Sequence, residues 1–197
     1  ILRSPDGALA VEPFGVGGDI VNVGDWDGDG KADPAVYRAG SQSYFYYRGS
    51  LGNPSGATTY VPWGISGDQP VQGDFDGDGK LDAAVFRPSD RVWYIRRSAG
   101  GTVSTDQFGL TTDLRVVGDY DGDGKTDIAV FRPSTGTWYM LRSTAGFAGV
   151  QFGAITDRPV AGDYDADGKT DVAVFRSSEN TWYIQRSTAG FVATQFG

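Results

Sequence analysis

The sequence predicts an all-β protein built from β-propeller blades, each of four antiparallel strands. Two observations predict this fold: a unit of about 44 residues recurs along the chain, and an acidic loop recurs inside each unit. A period of this length, divided by turn residues into four short strands, is typical of a propeller blade. Thirty glycines and nine prolines among 197 residues agree with many turns and few helices.

An aromatic residue followed by glycine closes each unit. These pairs are Phe14-Gly15, Trp63-Gly64, Phe108-Gly109, Phe152-Gly153 and Phe196-Gly197. They divide one repeat domain, residues 1–197, into the units 16–64, 65–109, 110–153 and 154–197. Residues 1–15 align with the last two strands of a further unit. We therefore predict four full blades plus a half-blade.

The third unit shows how the strands are arranged within a blade. Residues 113–119 form a β-rich run that leads into the acidic loop. The predicted second, third and fourth strands are 128–132, 138–142 and 147–152, with Pro-Ser-Thr-Gly and Ser-Thr-Ala-Gly turns between them. The strands are apolar on both faces, as expected for strands packed between neighbouring blades.

The composition excludes several classes of function. The chain has no cysteine and no histidine, which removes disulfides, thiolate or ordinary zinc sites, and histidine-based catalysis. A net charge of −8 argues against a nucleic-acid partner. No apolar run approaches the ~18 residues of a membrane span. Nearly all acidic residues are Asp, with Glu only at positions 12 and 179, which indicates short carboxylates placed for geometry.

The acidic loop is nine residues long and carries Asp at positions 1, 3, 5 and 9. Glycine at position 6 permits a sharp turn, and position 7 is always Lys, whose backbone carbonyl would be a further ligand. The predicted metal ligands are Asp25, Asp27, Asp29, Lys31, Asp33, Asp74, Asp76, Asp78, Lys80, Asp82, Asp119, Asp121, Asp123, Lys125, Asp127, Asp163, Asp165, Asp167, Lys169 and Asp171.

This pattern predicts four Ca²⁺ ions, one in each loop. Many carboxylates on a flexible loop suit the larger, variable coordination shell of calcium better than that of magnesium. The loop differs from an EF-hand, because valine stands where the EF-hand has its glutamate at position 12. Four calcium ions would also balance the net charge of −8. The alternative, four acidic β-turns without metal, leaves four carboxylates repelling one another in each loop.

The Phe-Gly pairs, the Val-x-Gly-Asp runs and the Asp-x-Asp-x-Asp-Gly-x-x-Asp loops resemble FG-GAP and VCBS-type repeats, known from integrin α-subunits and bacterial secreted proteins. The resemblance covers essentially the whole chain. It implies a propeller, often seven-bladed, with calcium in each loop and an extracellular interaction role. Four and a half units depart from seven blades, so we expect further blades or an assembly with other chains.

Two further side chains recur in each unit at a constant offset. An aspartate precedes each loop by six residues, at Asp19, Asp68, Asp113 and Asp157, and an arginine follows 19 residues later, at Arg38, Arg87, Arg132 and Arg176. Both fall at the same end of a blade, so we predict four salt bridges between them, either within a blade or across neighbouring blades. A ring of charges that binds a polar ligand is the alternative.

Aromatic residues near the start of the third strand are predicted to pack between blades. They are Trp93, Trp138 and Trp182, with Tyr44 in the equivalent place of the first unit. A sugar-binding platform, which would require exposure, is the alternative. The first unit departs from the pattern, with an all-aromatic third strand and a longer loop over 49–56. Its candidate ligand-binding residues are Tyr44, Tyr46 and Asn53, although a tolerated insertion would look the same.

These observations favour a calcium-stiffened extracellular module that binds a protein or a glycan in adhesion. A structural repeat of a surface filament and the non-catalytic part of a secreted polysaccharide-degrading enzyme are the alternatives. No catalytic pair is apparent outside the loops, so the chain is not predicted to be an enzyme.

Overall fold

The computed structural model describes residue 11 and residues 13–195. In this part of the chain, sixteen strands form four separate sheets, and each sheet has four antiparallel strands hydrogen bonded in sequence order. This confirms the all-β prediction and the blade-like units of four strands. Among the described residues no helix is long and apolar enough to cross a membrane. The predicted half-blade falls mostly on residues outside the described ones.

The four sheets follow one another along the chain and are numbered 1 to 4. Sheet 1 consists of β1 (Ile20–Val21), β2 (Ala35–Arg38), β3 (Tyr44–Tyr47) and β4 (Thr59–Pro62). Sheet 2 consists of β5 (Gln69–Val71), β6 (Ala83–Arg87), β7 (Val92–Arg96) and β8 (Val103–Gln107). Sheet 3 consists of β9 (Leu114–Arg115), β10 (Ile128–Arg132), β11 (Thr137–Arg142) and β12 (Gly146–Gln151). Sheet 4 consists of β13 (Arg158–Pro159), β14 (Val172–Arg176), β15 (Thr181–Arg186) and β16 (Gly190–Gln195).

The strands of sheet 3 agree closely with the sequence prediction, except for the first. Strand β10 has the predicted bounds, while β11 begins one residue earlier and β12 is shifted by one residue. Strand β9 has only two residues, because the chain leaves the ladder as it turns into the acidic loop. The four sheets lie within the four predicted units, whose own boundaries stay a prediction.

The hydrophobic core lies between consecutive sheets rather than inside any one of them. Three clusters of buried side chains join sheets 1 and 2, 2 and 3, and 3 and 4. Trp93 and Trp138 are fully buried in the second and third cluster, which confirms the predicted packing role for these two indoles. A single sheet of four short strands could not bury this surface alone, so each sheet depends on its neighbour.

The prediction that Tyr44 is equivalent to the tryptophans of the other units is wrong. In sheet 2, Trp93 pairs with Phe86, and the corresponding pair in sheet 1 is Phe45 with Tyr37. Phe45 is fully buried, whereas Tyr44 lies on the opposite face of the strand. Since side chains alternate between the faces of a strand, an error of one residue exchanges the buried and the outer side chain.

Sheet 4 differs from the others because no following sheet covers its outer face among the described residues. Phe175 and Trp182 occupy the places of Phe131 and Trp138, but they are only half-buried. Tyr164, which occupies the place of the buried Tyr120, has 39% of its surface exposed. The predicted packing of Trp182 between two blades therefore does not occur within this part of the chain.

The predicted salt bridges are present in all four sheets. Each arginine donates two hydrogen bonds, from Nε and Nη2, to the two carboxylate oxygens of its aspartate, at 2.8–3.0 Å. The arginine also lies over a tyrosine ring of the third strand, with Arg87 at 4.2 Å from the centre of Tyr94. Because each pair joins the start of the first strand to the end of the second, the pairs hold the inner strands in register.

We expect loss of one of these arginines to destabilise the fold. Arg132→Met should lower the free energy of unfolding by about 3 kcal/mol, because it leaves the fully buried Asp113 carboxylate without its cation. Arg38→Met should cost less, because the Arg38 side chain is 40% exposed, against 24% for Arg132. Urea unfolding of both variants measures this difference, and equal losses would contradict it.

The same pairs predict a loss of stability in acid. The hydrogen bond from Arg176 holds the pKa of Asp157 below its ordinary value of 3.8. A lowered carboxylate pKa in the folded state stabilises the protein above the ordinary pKa, and this contribution is lost as the pH falls through the lowered value. The stability difference between the native protein and Asp157→Asn should therefore be constant near about pH 5 and shrink as the pH falls below the ordinary pKa of 3.8. Urea unfolding across this range measures it, and a constant difference would refute the assignment.

Candidate metal centre

Each acidic loop connects the first and second strands of its sheet and is anchored by the residue at position 2. Trp26, Phe75 and Tyr120 occupy this position in the first three loops, and all three rings are buried in the core between sheets. The indole of Trp26 and the hydroxyls of Tyr120 and Tyr164 donate to a backbone carbonyl four residues earlier. The first three loops therefore start from a fixed point in the core.

The aspartate at position 9 is the most deeply buried group of each loop, with 1% of its surface exposed in all four. Its Oδ2 accepts the backbone N–H of the position-2 aromatic residue at 2.8–2.9 Å. Its Oδ1 accepts the backbone N–H of a serine in the turn between the third and fourth strands, at 2.6–3.2 Å. One carboxylate thus joins the loop to the core and to the outer hairpin.

The aspartate at position 1 folds the loop around itself. In the first loop, Oδ1 of Asp25 accepts the N–H of Gly28 at 2.6 Å and Oδ2 accepts that of Gly30 at 2.7 Å. Gly30 has a φ of 80°, as the turn at position 6 requires. The second and third loops make the same bonds, and the fourth keeps the one to position 6.

The aspartate at position 3 has an oxygen without a partner. In three loops Oδ1 of this residue is buried and accepts no hydrogen bond, at Asp27, Asp121 and Asp165. In the second loop the equivalent oxygen of Asp76 accepts a long bond of 3.3 Å from the N–H of Asp78. A buried carboxylate oxygen without a donor is unfavourable unless a cation or water meets it.

Three carboxylates of every loop come close enough to share one cation. Their ligand atoms lie within 4.8 Å of one another, in the groups Asp25, Asp27, Asp29; Asp74, Asp76, Asp78; Asp119, Asp121, Asp127; and Asp163, Asp165, Asp171. The third member is the position-5 residue in two loops and the position-9 residue in the other two. Together with the unpartnered oxygens, this all-oxygen donor set fits a hard divalent cation. The carbonyl role of the position-7 lysines stays a prediction.

A set of hydroxyl groups that the sequence analysis missed also contacts the loops. The serine hydroxyls of the turn between the third and fourth strands donate to the position-5 aspartates, from Ser50, Ser98, Ser143 and Ser187. Backbone N–H groups of the same turn donate to Oδ2 of the position-3 aspartates. The recurrence of serine just after the third strand was the available signal. Such outer contacts orient metal ligands.

Burial and hydrogen bonding move the carboxylate pKa values in opposite directions within a loop. Burial raises the pKa of Asp33 and Asp127, and it raises that of Asp82 to about 6. At position 5, hydrogen bonds from Ser187 and Thr188 lower the pKa of Asp167 to about 2. The carboxylates of Asp33, Asp82 and Asp127 are therefore the groups whose negative charge a bound cation would stabilise most.

Three of the four position-7 lysines pack against the neighbouring loop, whereas the Lys31 side chain is exposed. The side chains of Lys80, Lys125 and Lys169 lie against a glycine at position 4 of the preceding loop. The backbone N–H at position 8 also donates to the position-1 carbonyl of the preceding loop, at 2.5–2.7 Å, from Leu81, Thr126 and Thr170. Neighbouring loops are therefore in direct contact.

The candidate ligand-binding residues of the first unit separate into two places. Tyr44 and Tyr46 form an aromatic cluster with Tyr60, with ring centres 5.8–6.2 Å apart, on the face of sheet 1 that points away from sheet 2. Asn53 lies in the long loop, where its amide bonds to Gly49 and Ala57. The tyrosines lie on a surface, whereas Asn53 holds the loop together. Ligand binding at these residues stays a prediction.

The fold and the loops define a tandem array of blade-like sheets, each with one acidic loop. The FG-GAP-like repeat matches the chain twice, over residues 74–130 and 119–174, which together cover about half of it. The chain therefore belongs to the FG-GAP-like repeat family, as its motifs suggested. No curated protein matches the chain. The repeats of this family are typical of extracellular proteins and are generally non-catalytic binding or structural modules.

The fourth loop carries a residue that its conformation disfavours. Ala166 stands at position 4 with a φ of 58°, where the other loops have glycine. An L-residue in this left-handed region costs about 1 kcal/mol. Ala166→Gly should therefore raise the free energy of unfolding by roughly 0.5–1 kcal/mol, part of the gain being offset by the freer unfolded chain.

Gly122→Ala is the matched control for this prediction, and it should destabilise the protein. An added Cβ at this position would lie 2.9 Å from Cε of Lys169, in addition to the backbone strain. Thermal or urea unfolding of both variants in the same buffer makes the comparison. A destabilised Ala166→Gly variant would show that the fourth loop is not strained.

Proposed function

We propose that this chain binds four Ca²⁺ ions, one in each acidic loop, and serves as an extracellular module that binds a protein or a glycan in adhesion. The observation that carries the calcium assignment is the buried, unpartnered Oδ1 of the position-3 aspartate in three loops. This oxygen belongs to a group of carboxylates within 4.8 Å of one another. Without a cation, such a group would hold several like charges together.

Calcium suits these loops better than magnesium. Magnesium requires a near-ideal octahedron and keeps several of its waters, whereas calcium accepts six to eight oxygens in a variable arrangement. The loops offer carboxylates at four positions and glycines with positive φ, on a backbone that already folds around the position-1 aspartate. A cation held by these carboxylates would connect the residues that join the core to the outer hairpin, and it would therefore stiffen each sheet.

The binding role rests on the family and on the arrangement of the scaffold. Repeats of this family are generally non-catalytic, so we propose a non-enzymatic module at the cell surface or in the secreted protein fraction. Rigid sheets that present loops are a common basis for recognition. The acidic surface of the chain, with a net charge of −8, argues against nucleic acid as the partner.

We also propose that a further blade or another chain covers the outer face of sheet 4. This face carries aromatic residues at the positions that, in sheets 1 to 3, pack against a following sheet. Its half-buried Phe175 and Trp182 and the exposed Tyr164 leave apolar surface open, which favours an additional partner.

Calorimetric titration tests the calcium assignment. The native protein should bind about four Ca²⁺ with Kd values of roughly 10⁻⁴–10⁻³ M, as is usual for extracellular calcium modules. Asp121→Asn should remove one site, because it takes a charge from the carboxylate with the unpartnered oxygen. Asp106→Asn, which lies outside the loops, should keep all four.

Removal of the metal provides the second readout. EDTA should lower the melting temperature, and calcium should restore it more fully than magnesium at the same concentration. A native protein that binds no calcium at millimolar concentration, and whose melting temperature does not respond to EDTA, would overturn the proposal.

A further inference from the structure

A groove of about 340 Å³ lies between sheets 1 and 2, beside the first two acidic loops. Sheet 1 contributes an apolar and aromatic wall, in which the rings of Trp26 and Tyr47 stack at 5.2 Å with an angle of 14° between their planes. Sheet 2 contributes Lys80, Arg96 and Arg97. The volume falls within the range of small-molecule sites, roughly 300–1,000 Å³.

The three cations of this groove are unpaired. Within residues 13–195, none of them forms a salt bridge, and their side chains make no hydrogen bond. All three are half-buried, and no acidic residue lines the groove. No acidic residue of the lining offsets these partly buried positive charges, so they would attract an anion that enters the groove.

The next groove along the chain differs from the first in its acidic lining. The groove between sheets 2 and 3, about 420 Å³, shares Arg97 with the first groove. Its other cations are Lys125 and Arg142, and Asp76, Asp106 and Asp127 also line it. One of its cations, Arg142, donates from Nε and Nη2 to the carbonyls of its own turn. The second groove therefore has three acidic residues in its lining, whereas the lining of the first has none, and Arg97 lies where the two grooves meet.

Two sequence differences produce the first groove. Arg96 pairs with Ala83, and the equivalent positions in sheets 3 and 4 are the uncharged Leu141 and Gln185. The turn that follows contains Gly100 and Gly101, both with positive φ, and it is one residue longer than the turn of sheet 3. The absence of side chains at these two glycines leaves the groove open beside the arginines.

We propose that this groove binds an anionic sugar, with a carboxylate held by Arg96 and Arg97 and the sugar ring against Tyr47. Guanidinium groups match the geometry of a carboxylate and form the strongest class of hydrogen bond with it. An aromatic ring with a polar edge suits a ligand that has both apolar and polar faces. This site goes beyond calcium binding and does not depend on it.

Binding is tested on the full chain at saturating calcium, with Trp fluorescence and calorimetry as readouts. Glucuronate is the probe, glucose is the neutral comparison and inorganic sulfate is the comparison without a sugar ring. We expect glucuronate to bind more tightly than either. Arg96→Gln and Arg97→Gln should each weaken the binding of glucuronate about tenfold, which is the usual effect of losing a hydrogen bond to a charged group.

Arg158→Gln is the matched control, since it removes one positive charge from an exposed position outside the groove. It should leave glucuronate binding unchanged, and unchanged melting temperatures establish that the variants fold. Equal binding of glucose and glucuronate, an equal loss in Arg158→Gln, or no glucuronate binding at millimolar concentration would overturn the proposal. Sulfate binding as tight as glucuronate would overturn the assignment to a sugar. Calcium binding is measured in a separate titration, so the outcome of the glucuronate experiments does not bear on the metal assignment.

Discussion

The buried carboxylate at position 9 of each loop is the interaction on which the rest of a sheet depends. In every unit it accepts one N–H from the residue that anchors the loop in the core and one from the turn of the outer hairpin. The loop, the second strand and the outer hairpin are therefore held by a single group that is 1% exposed. Burial raises the pKa of Asp82 to about 6, so this link carries an electrostatic cost that a nearby cation reduces.

The repeated features could be predicted well from the sequence, because a pattern that recurs in every unit stands out from the positions that vary between units. The constant offset between Asp113 and Arg132 identified a contact across two strands, and the bounds of β10 agree with the prediction. The acidic positions of the loops were also apparent, and they come together in the structure. A feature present in every unit is decided by the fold itself, which explains why simple spacing was enough.

The features that could not be predicted from the sequence depend on strand register or on contacts between units. Tyr44 and Phe45 are both aromatic, so composition could not tell which of them faces the core. The serine contacts join residues about 20 positions apart across a turn, and serine is too common in turns to indicate a ligand role. The position of Lys80 against the preceding loop depends on how two sheets pack, which no single unit reveals.

The hydrogen bonds between consecutive loops limit how such an array can grow by duplication. Each junction requires a free N–H at position 8 of one unit and a position-1 carbonyl in the unit before it. At these junctions position 8 holds Leu81, Thr126 and Thr170, which differ in size and polarity, and each side chain lies against the glycine just before the preceding loop. Proline lacks the donor, so a duplicated unit with proline there could not continue the row. The junction therefore constrains the backbone at position 8 and the glycine that faces it, while side chains as different as leucine and threonine fit the same place.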